Sequence, residues 1–245
     1  MSVYLVGAGP GDPGLITVRG LELVRRCDAL VYDRLVAPEL VAEAPEGATR
    51  ICRETLSQEE IGELLVRLGR RGLEVVRLKG GDPCLFGRGG EEALALARAG
   101  VPCEIVPGVS SLTAVPAAVG IPVTHRGLSS QVTVVSGHDP SALDFPALAR
   151  APGTLVVFMG LATLGTLVAG LLANGKPART PAAVISSGTT PRQEVVRAPL
   201  GELAAAAAEL EPPALIVVGE VVALADALAL AALPTSARGR EAALR

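Results

Sequence analysis

The chain has 245 residues, 49% of them hydrophobic, with a formal net charge of −3 and a mean hydropathy of +0.45. That length supports one large or two ordinary domains with ample core. The slight acidity and an aromatic content of 2% exclude a general nucleic-acid binder and a base-stacking platform.

The first predicted element is a short buried strand, Val3-Tyr4-Leu5-Val6, followed at once by Gly7-Ala8-Gly9-Pro10-Gly11-Asp12. A glycine turn after a strand suggests a dinucleotide fingerprint. The fit is poor, because Pro10 and Pro13 interrupt the turn and Asp12 stands where the last glycine belongs. An acid there would also oppose a pyrophosphate. Met1-Ser2 carries no basic region, and Pro10, Asp12 and Pro13 cut the first apolar run short, so no secretory leader is expected.

Further strands are predicted near 28–32, 49–52, 74–78 and 103–106, with helices between them. Ser57-Gln58-Glu59-Glu60 is a capping box opening a helix whose Ile61, Leu64, Leu65 and Leu68 form one apolar face, and Gly72 stops it. Arg88 to Ala99 forms the next helix, and Val115 to Val119 a short one. The βαβα rhythm implies a mainly parallel sheet covered on both faces, with ligands beyond the carboxyl ends of its strands.

After Pro122 the rhythm changes: strands near 131–136, 154–159, 182–186, 194–197 and 214–218, helices near 161–173 and 200–210, and hence a mixed sheet. Residues 154–173 are uncharged and long enough to span a bilayer. The β-branched run before Gly160 and the helical spacing of Leu161, Leu164, Val168 and Leu171 predict a buried strand and a buried helix instead. The expected domains are 1–123 and 124–233, with a frayed tail over 234–245.

Four cysteines, Cys27, Cys52, Cys84 and Cys103, stand far apart with no C-x-x-C pair and no ligand spacing to His125 or His138. They predict small buried thiols in a reducing cytosol, with neither disulfides nor a metal site. Around the fourth strand the sequence is richer. Arg77, Lys79, Asp82 and Arg88 cluster about the bare backbone of Gly80-Gly81, where a ligand can approach peptide groups closely.

The motifs GAGPGDPGLIT, VYDRLV, VRLKGGDP, FGRGGEE, VPGVSS, GIPVTHRG, VTVVSGH, FMG and PALIVVGEVV occur in this order along nearly the whole chain. In them the sequence resembles the tetrapyrrole methyltransferases, and within these the uroporphyrinogen-III C-methyltransferases. The resemblance implies two α/β domains with an active-site cleft between them. It implies S-adenosylmethionine as methyl donor, S-adenosylhomocysteine as product, and a homodimer, while the cysteine spacing, charge and apolar pattern above predict a cytoplasmic chain with no metal, no nucleic-acid partner and no membrane partner. The implied reaction is methylation of uroporphyrinogen III at C2 and C7 to precorrin-2, in sirohaem or cobalamin synthesis. The implied cofactor contacts are Pro10, Gly80, Gly81, Asp82, Leu85, Ser110, Ser111, Met159, Gly188 and Ala214. Individually, Leu85 and Met159 read as core residues. Asp33 aligns with the proposed general base.

The substrate carries eight carboxylates, which suits the planar forks of arginine. Arg77, Arg88, Arg126 and Arg34 are the candidates. The sequence departs from the family pattern in one place. The segment that carries a lysine proton donor in relatives is missing, Arg50-Ile51-Cys52-Arg53 runs straight into the capping box, and no lysine precedes Lys79. Arg53 is the candidate for the missing electrostatic role, although an arginine is a poor proton donor at neutral pH. Two alternatives therefore stay open: a precorrin methyltransferase, or a cofactor- or tetrapyrrole-binding protein with impaired catalysis.

Overall fold

A computed structural model describes residues 2–228, so the expected frayed tail over 234–245 lies outside the described residues. Contacts divide the chain into two units, one ending at Ala114 and one starting at Val115. The division comes earlier than the expected break after residue 123, and packing explains it. A Cβ on Gly188 would lie 2.5 Å from Val115 Cγ1, and one on Gly120 would lie 3.7 Å from Ala225 Cα. From Val115 on, the chain already belongs to the second unit's core.

In the first unit, β1 (Val3–Gly7), β2 (Ala29–Tyr32), β3 (Thr49–Cys52), β4 (Val75–Lys79) and β5 (Cys103–Val106) form one sheet in the order β3-β2-β4-β1-β5. Every pairing is parallel, with Val3 opposite both Val75 and Cys103. The connections carry α1 (Val18–Val24), α2 (Pro38–Ala42), α3 (Gln58–Arg70) and α4 (Gly89–Arg98).

Strand alternation sorts the core into two faces. Tyr4, Val6, Leu30, Val76 and Leu78 pack with α1 and α2 residues such as Leu23 and Leu40. Val3, Leu5, Ala29, Val31 and Val75 pack with Ile61, Leu65 and Leu96 of α3 and α4.

Helix α3 follows its sequence closely. Ser57 Oγ accepts from the Glu60 amide at 3.2 Å, and the Ser57 amide donates to Glu60 Oε2 at 2.7 Å, completing the capping box. Ile61, Leu64, Leu65 and Leu68 are buried, at roughly 1.5–3 kcal/mol each relative to exposure. The short helix expected from Val115 begins earlier, as α5 (Ser111–Ala118).

In the second unit, β6 (Val132–Ser136), β7 (Thr154–Phe158), β8 (Pro181–Ser186), β9 (Glu194–Pro199) and β10 (Ala214–Val218) form a sheet in the order β6-β7-β10-β8-β9. Only β6 and β7 pair in parallel, so the sheet is mixed as expected. The uncharged stretch over 154–173 is strand β7 followed by helix α7 (Leu164–Ala173). Among the described residues no helix is long and apolar enough to cross a membrane.

Helix α6 (Phe145–Arg150) was not foreseen. Its signal is local: Asp144 Oδ1 accepts from the Ala147 amide at 2.9 Å, and Pro146 occupies the first turn. The alanine run after Leu203 extends only to α8 (Leu203–Ala206), and α9 (Leu224–Leu228) closes the described chain. All four cysteines are free. Only Cys27 is fully buried. Cys84, expected to be buried, is exposed, because it lies in a turn where its amide donates to Asp82 Oδ1 at 2.8 Å.

Candidate active site

Three of the expected site residues converge at the carboxyl end of the first sheet. Asp33 follows β2 directly, and its amide donates to Leu78 O at 3.2 Å, which ties the turn to β4. Arg77 Nη2 donates to Asp33 Oδ1 at 2.5 Å. Arg53, just past β3, brings Nε to 3.8 Å from the same oxygen. No hydrogen bond among the described residues reaches Asp33 Oδ2, and the carboxylate side chain is 23% exposed. One oxygen is thus held and one is left over.

Arg77 does not stand where the sequence suggested. It was expected to face a substrate carboxylate, yet its side chain is 0% exposed. Strand alternation is the reason: Val75, Arg77 and Lys79 share the face of β4 that packs under α3 and α4. There Glu92 of α4, itself buried, meets them. Its Oε1 accepts from Lys79 Nζ at 2.8 Å, Arg77 Nε at 3.3 Å and Gln58 Nε2 at 3.2 Å. Arg77 Nη1 donates to Leu78 O at 3.2 Å.

Glu92 was not among the residues singled out from the sequence. A signal for it existed. Gly89, Glu92 and Leu96 are the buried positions of α4, so an acid occupies the helix face that should be apolar.

Arg77, Lys79, Asp33 and Glu92 carry charges that sum to zero. That balance matters, because the effective penalty for burying an ion is several kcal/mol unless it is paired. Burial, with Arg77 beside it, still holds the Lys79 ammonium below its ordinary pKa, while Glu92 pulls the other way.

The glycine loops lie at the same sheet end. Gly9 and Gly81 form a bridge in which the Gly81 amide donates to Gly9 O at 2.7 Å. Gly81 has φ +66°, in the left-handed region. A Cβ on Gly108 would lie 2.3 Å from Gly81 O, so the loops after β4 and β5 touch backbone to backbone.

Asp82 locks that contact. Its Oδ2 accepts from the Gly108 amide at 3.0 Å and its Oδ1 from Cys84. Both oxygens are thereby committed to the protein's own backbone. At this junction the Leu85 amide donates to Asp82 O at 3.4 Å and a Cβ on Gly81 would lie 3.6 Å from Ser111 Oγ, while Pro10 follows Gly9 in the chain and Ser110 Oγ accepts from the Leu112 amide at 3.1 Å. A Cβ on Gly80 would meet nothing closer than Leu35 Cβ at 4.0 Å, so the backbone there opens on free space. The loop after β1 enters a short 3-10 turn, Pro13–Leu15, capped by Asp12, before any α-helix begins. This removes the helix N-terminus that a dinucleotide fold would use for a pyrophosphate.

In the second unit, Met159, Gly188 and Ala214 share one end of the mixed sheet. Phe158 pairs with Leu215, and Ser186 with Ala214. Met159 is 49% exposed with φ +53°, so it is no core residue. Ser187 and Thr189, which flank Gly188, are also left-handed. Such conformations cost non-glycine residues of order 1–3 kcal/mol.

The remaining arginines are exposed. Arg34 Nε lies 3.7 Å from Glu54, and Arg88 pairs with Glu91 at 2.7 Å. Arg126 lies in a small turn closed by the His125 amide donating to Ser129 O at 2.9 Å. No group of three or more His, Cys, Asp or Glu side chains among the described residues is arranged to hold a metal ion.

Comparison with known proteins places this geometry in context. Residues 2–204 match the family model described as Tetrapyrrole (Corrin/Porphyrin) Methylases. The chain is 49% identical over 238 residues to a siroheme synthase of Nitrosospira multiformis, covering 93% of this chain and 50% of that protein. It therefore spans about half the length of the curated relatives it matches. A crystal structure of uroporphyrin-III C-methyl transferase from Thermus thermophilus, complexed with S-adenyl homocysteine, superposes with a TM-score of 0.81 at 44% identity. The match covers 91% of this chain and 100% of that one. A cobalt precorrin-4 methyltransferase superposes with a TM-score of 0.84 at 30% identity, over 90% of this chain and 95% of that one.

Proposed function

The chain belongs to the tetrapyrrole methylase family, and we propose that it methylates uroporphyrinogen III at C2 and C7, with S-adenosylmethionine as donor, to give precorrin-2 for sirohaem or cobalamin synthesis. The observation that carries this reading is the convergence of Asp33, Arg53 and Arg77 beside the glycine-lined junction, with one Asp33 oxygen committed and the other left over.

The residues present fit the donor. Gly80 leaves bare backbone facing open space that any side chain would fill, Ser111 adds a hydroxyl at the same junction, and Ser110 is proposed as a contact beside it. Met159, Gly188 and Ala214 are proposed as further donor contacts. Bound S-adenosylmethionine supplies a methyl group already activated by a positive sulfur.

The protein's tasks are then orientation, exclusion of water and proton removal. As the ring carbon's electron pair closes on the methyl carbon, the bond pair to sulfur returns to sulfur. The macrocycle takes over the positive charge and discharges it by losing a proton. Asp33 Oδ2 is positioned to take that proton, because Arg77 fixes Oδ1. Arg53 helps keep the carboxylate in place. The exposed Arg34, Arg88 and Arg126 are the proposed grips for substrate carboxylates, and Asp82 braces the loops. Arg77, with no exposed surface, serves Asp33 instead of the substrate.

The test is incubation with freshly reduced uroporphyrinogen III and labelled S-adenosylmethionine. A mass gain of two methyl groups is expected. Asp33→Ala is expected to lower kcat by about a hundredfold or more while S-adenosylhomocysteine affinity stays within about twofold. Equal loss of both would make Asp33 a structural residue. A second reading, methylation of a precorrin, is favoured by the likeness to the cobalt precorrin-4 enzyme. Methyl gain on a precorrin, with none on uroporphyrinogen III, would select it. Tight donor binding without turnover on either would select the binding-protein reading.

A further inference from the structure

We infer that Glu92 is a positioning residue for methyl transfer: it sets the plane of the Arg77 guanidinium, and through it the carboxylate of Asp33. The inference rests on the reading of Asp33 as the base.

The geometry has three parts. First, Arg77 is gripped on three edges, by Glu92 Oε1 at Nε, by Leu78 O at Nη1 and by Asp33 Oδ1 at Nη2. A planar fork bound at all three nitrogens cannot rotate about its long axis. Removing the Nε contact leaves rotation opposed by two strand carbonyls on Nη1, Leu78 O at 3.2 Å and Val31 O at 3.5 Å, and by the carboxylate whose position is at issue. Second, among the described residues Glu92 is the only carboxylate joined to both Arg77 and Lys79, and it gathers Arg77, Lys79 and Gln58 on one oxygen. Its Oε2 has no hydrogen-bond partner among the described residues. The charge is therefore spent on orienting donors rather than on satisfying both of its own oxygens.

Third, stability alone does not explain the arrangement. Replacing a buried ion network with apolar residues of similar volume is often neutral or stabilising. On that ground a leucine face continuing through position 92 of α4, over apolar residues on β4, is expected to fold about as well. What the network adds is a carboxylate held at the end of β2 by a fork whose far edge is anchored 15 residues along the chain, in α4.

The test uses Glu92→Gln, which keeps the side chain's shape and one acceptor oxygen but removes the charge. Turnover is expected to fall about tenfold to a hundredfold, the usual cost of a misplaced catalytic group. KM for both substrates and S-adenosylhomocysteine affinity should stay within about twofold. In an Arg77→Met background, adding Glu92→Gln should lower kcat no further, because the route through Arg77 is already cut.

Wild-type kcat in Glu92→Gln, even with a lowered melting temperature, would overturn the inference. So would losses that multiply in the double variant. Should the wild-type protein leave uroporphyrinogen III and precorrins unmethylated, the functional reading fails by itself. A crystal structure of Glu92→Gln then still decides: a displaced Asp33–Arg77 pair supports Glu92 as the positioning residue, and an unchanged pair rejects it.

Discussion

The two five-stranded sheets have different central strands. β10, flanked by β7 and β8, is Ala214-Leu215-Ile216-Val217-Val218, apolar throughout and buried from Leu215 on. β4, flanked by β2 and β1, is Val75-Val76-Arg77-Leu78-Lys79, buried at every position yet carrying two cations. Its apolar half lies at the amino end and its charges at the carboxyl end, where ligands bind parallel sheets. β10 spends its interior on cohesion. β4 gives up part of that cohesion to hold a carboxylate in one orientation. A buried charge is thus read by what it aims, and a buried hydrocarbon by what it fills.

The sharpest way to break this comparison is to truncate both strands at their third residue. Ile216→Ala should cost about 2–5 kcal/mol of stability and leave kcat per folded molecule unchanged. Arg77→Met leaves the buried Glu92 with Lys79 alone and the partly exposed Asp33 with Arg53 alone, and should cost about 3–5 kcal/mol while also lowering kcat by roughly a hundredfold. Urea unfolding and turnover, measured on the same samples, separate the two. Equal kcat losses in both variants would mean that the charges on β4 do nothing that packing does not.

Local features of both sheets are legible in the sequence, and long-range convergence is not. Strand positions, the α3 capping box and its apolar face were legible, because each depends on residues within one or two turns of one another. The convergence of Asp33, Arg53 and Arg77 was not, since β2, β3 and β4 meet only through the sheet order. Arg77 stands at a motif position that suits a substrate carboxylate, yet it is buried. Its parity with Val75 carried the opposite message. Glu92 was hidden in a motif with two adjacent glutamates, only one of which faces inward. Helix α5 starts before its expected beginning at Val115, because Ser111 and Thr113 on either side of Leu112 are weak helix formers whose signal a propensity reading discounts.

A smaller perturbation tests how far the held carboxylate depends on its outer neighbour. Arg53 approaches Asp33 Oδ1 at 3.8 Å with its own side chain 30% exposed, so solvent screens the pair. A partly exposed pair of this kind is worth about 1 kcal/mol, which sets the expected loss in Arg53→Leu at about fivefold in kcat. That is well below the loss for Arg77→Met. A loss as large as that for Arg77→Met would instead make Arg53 a direct participant, filling the role of the lysine that the chain lacks.

The smallest expected effect lies at the start of α3, which carries Gln58 to the Glu92 cluster. Ser57→Ala removes the cap on the Glu60 amide and should cost about 1 kcal/mol, with kcat unchanged because Gln58 belongs to the helix body held by Ile61, Leu64 and Leu65. The other half of the box adds a pH signature. Hydrogen bonds from the Ser57 backbone and side chain hold the Glu60 carboxyl below its ordinary value of 4.5. The folded protein thus binds its proton less readily than the unfolded chain does. The stability this provides is complete above the unfolded pKa and is lost as pH falls through the folded one. Between pH 7 and pH 3, wild-type protein should therefore lose slightly more stability than Glu60→Gln. A parallel loss in both would show that the box contributes through shape alone, and that α3 is held in place entirely by its buried face.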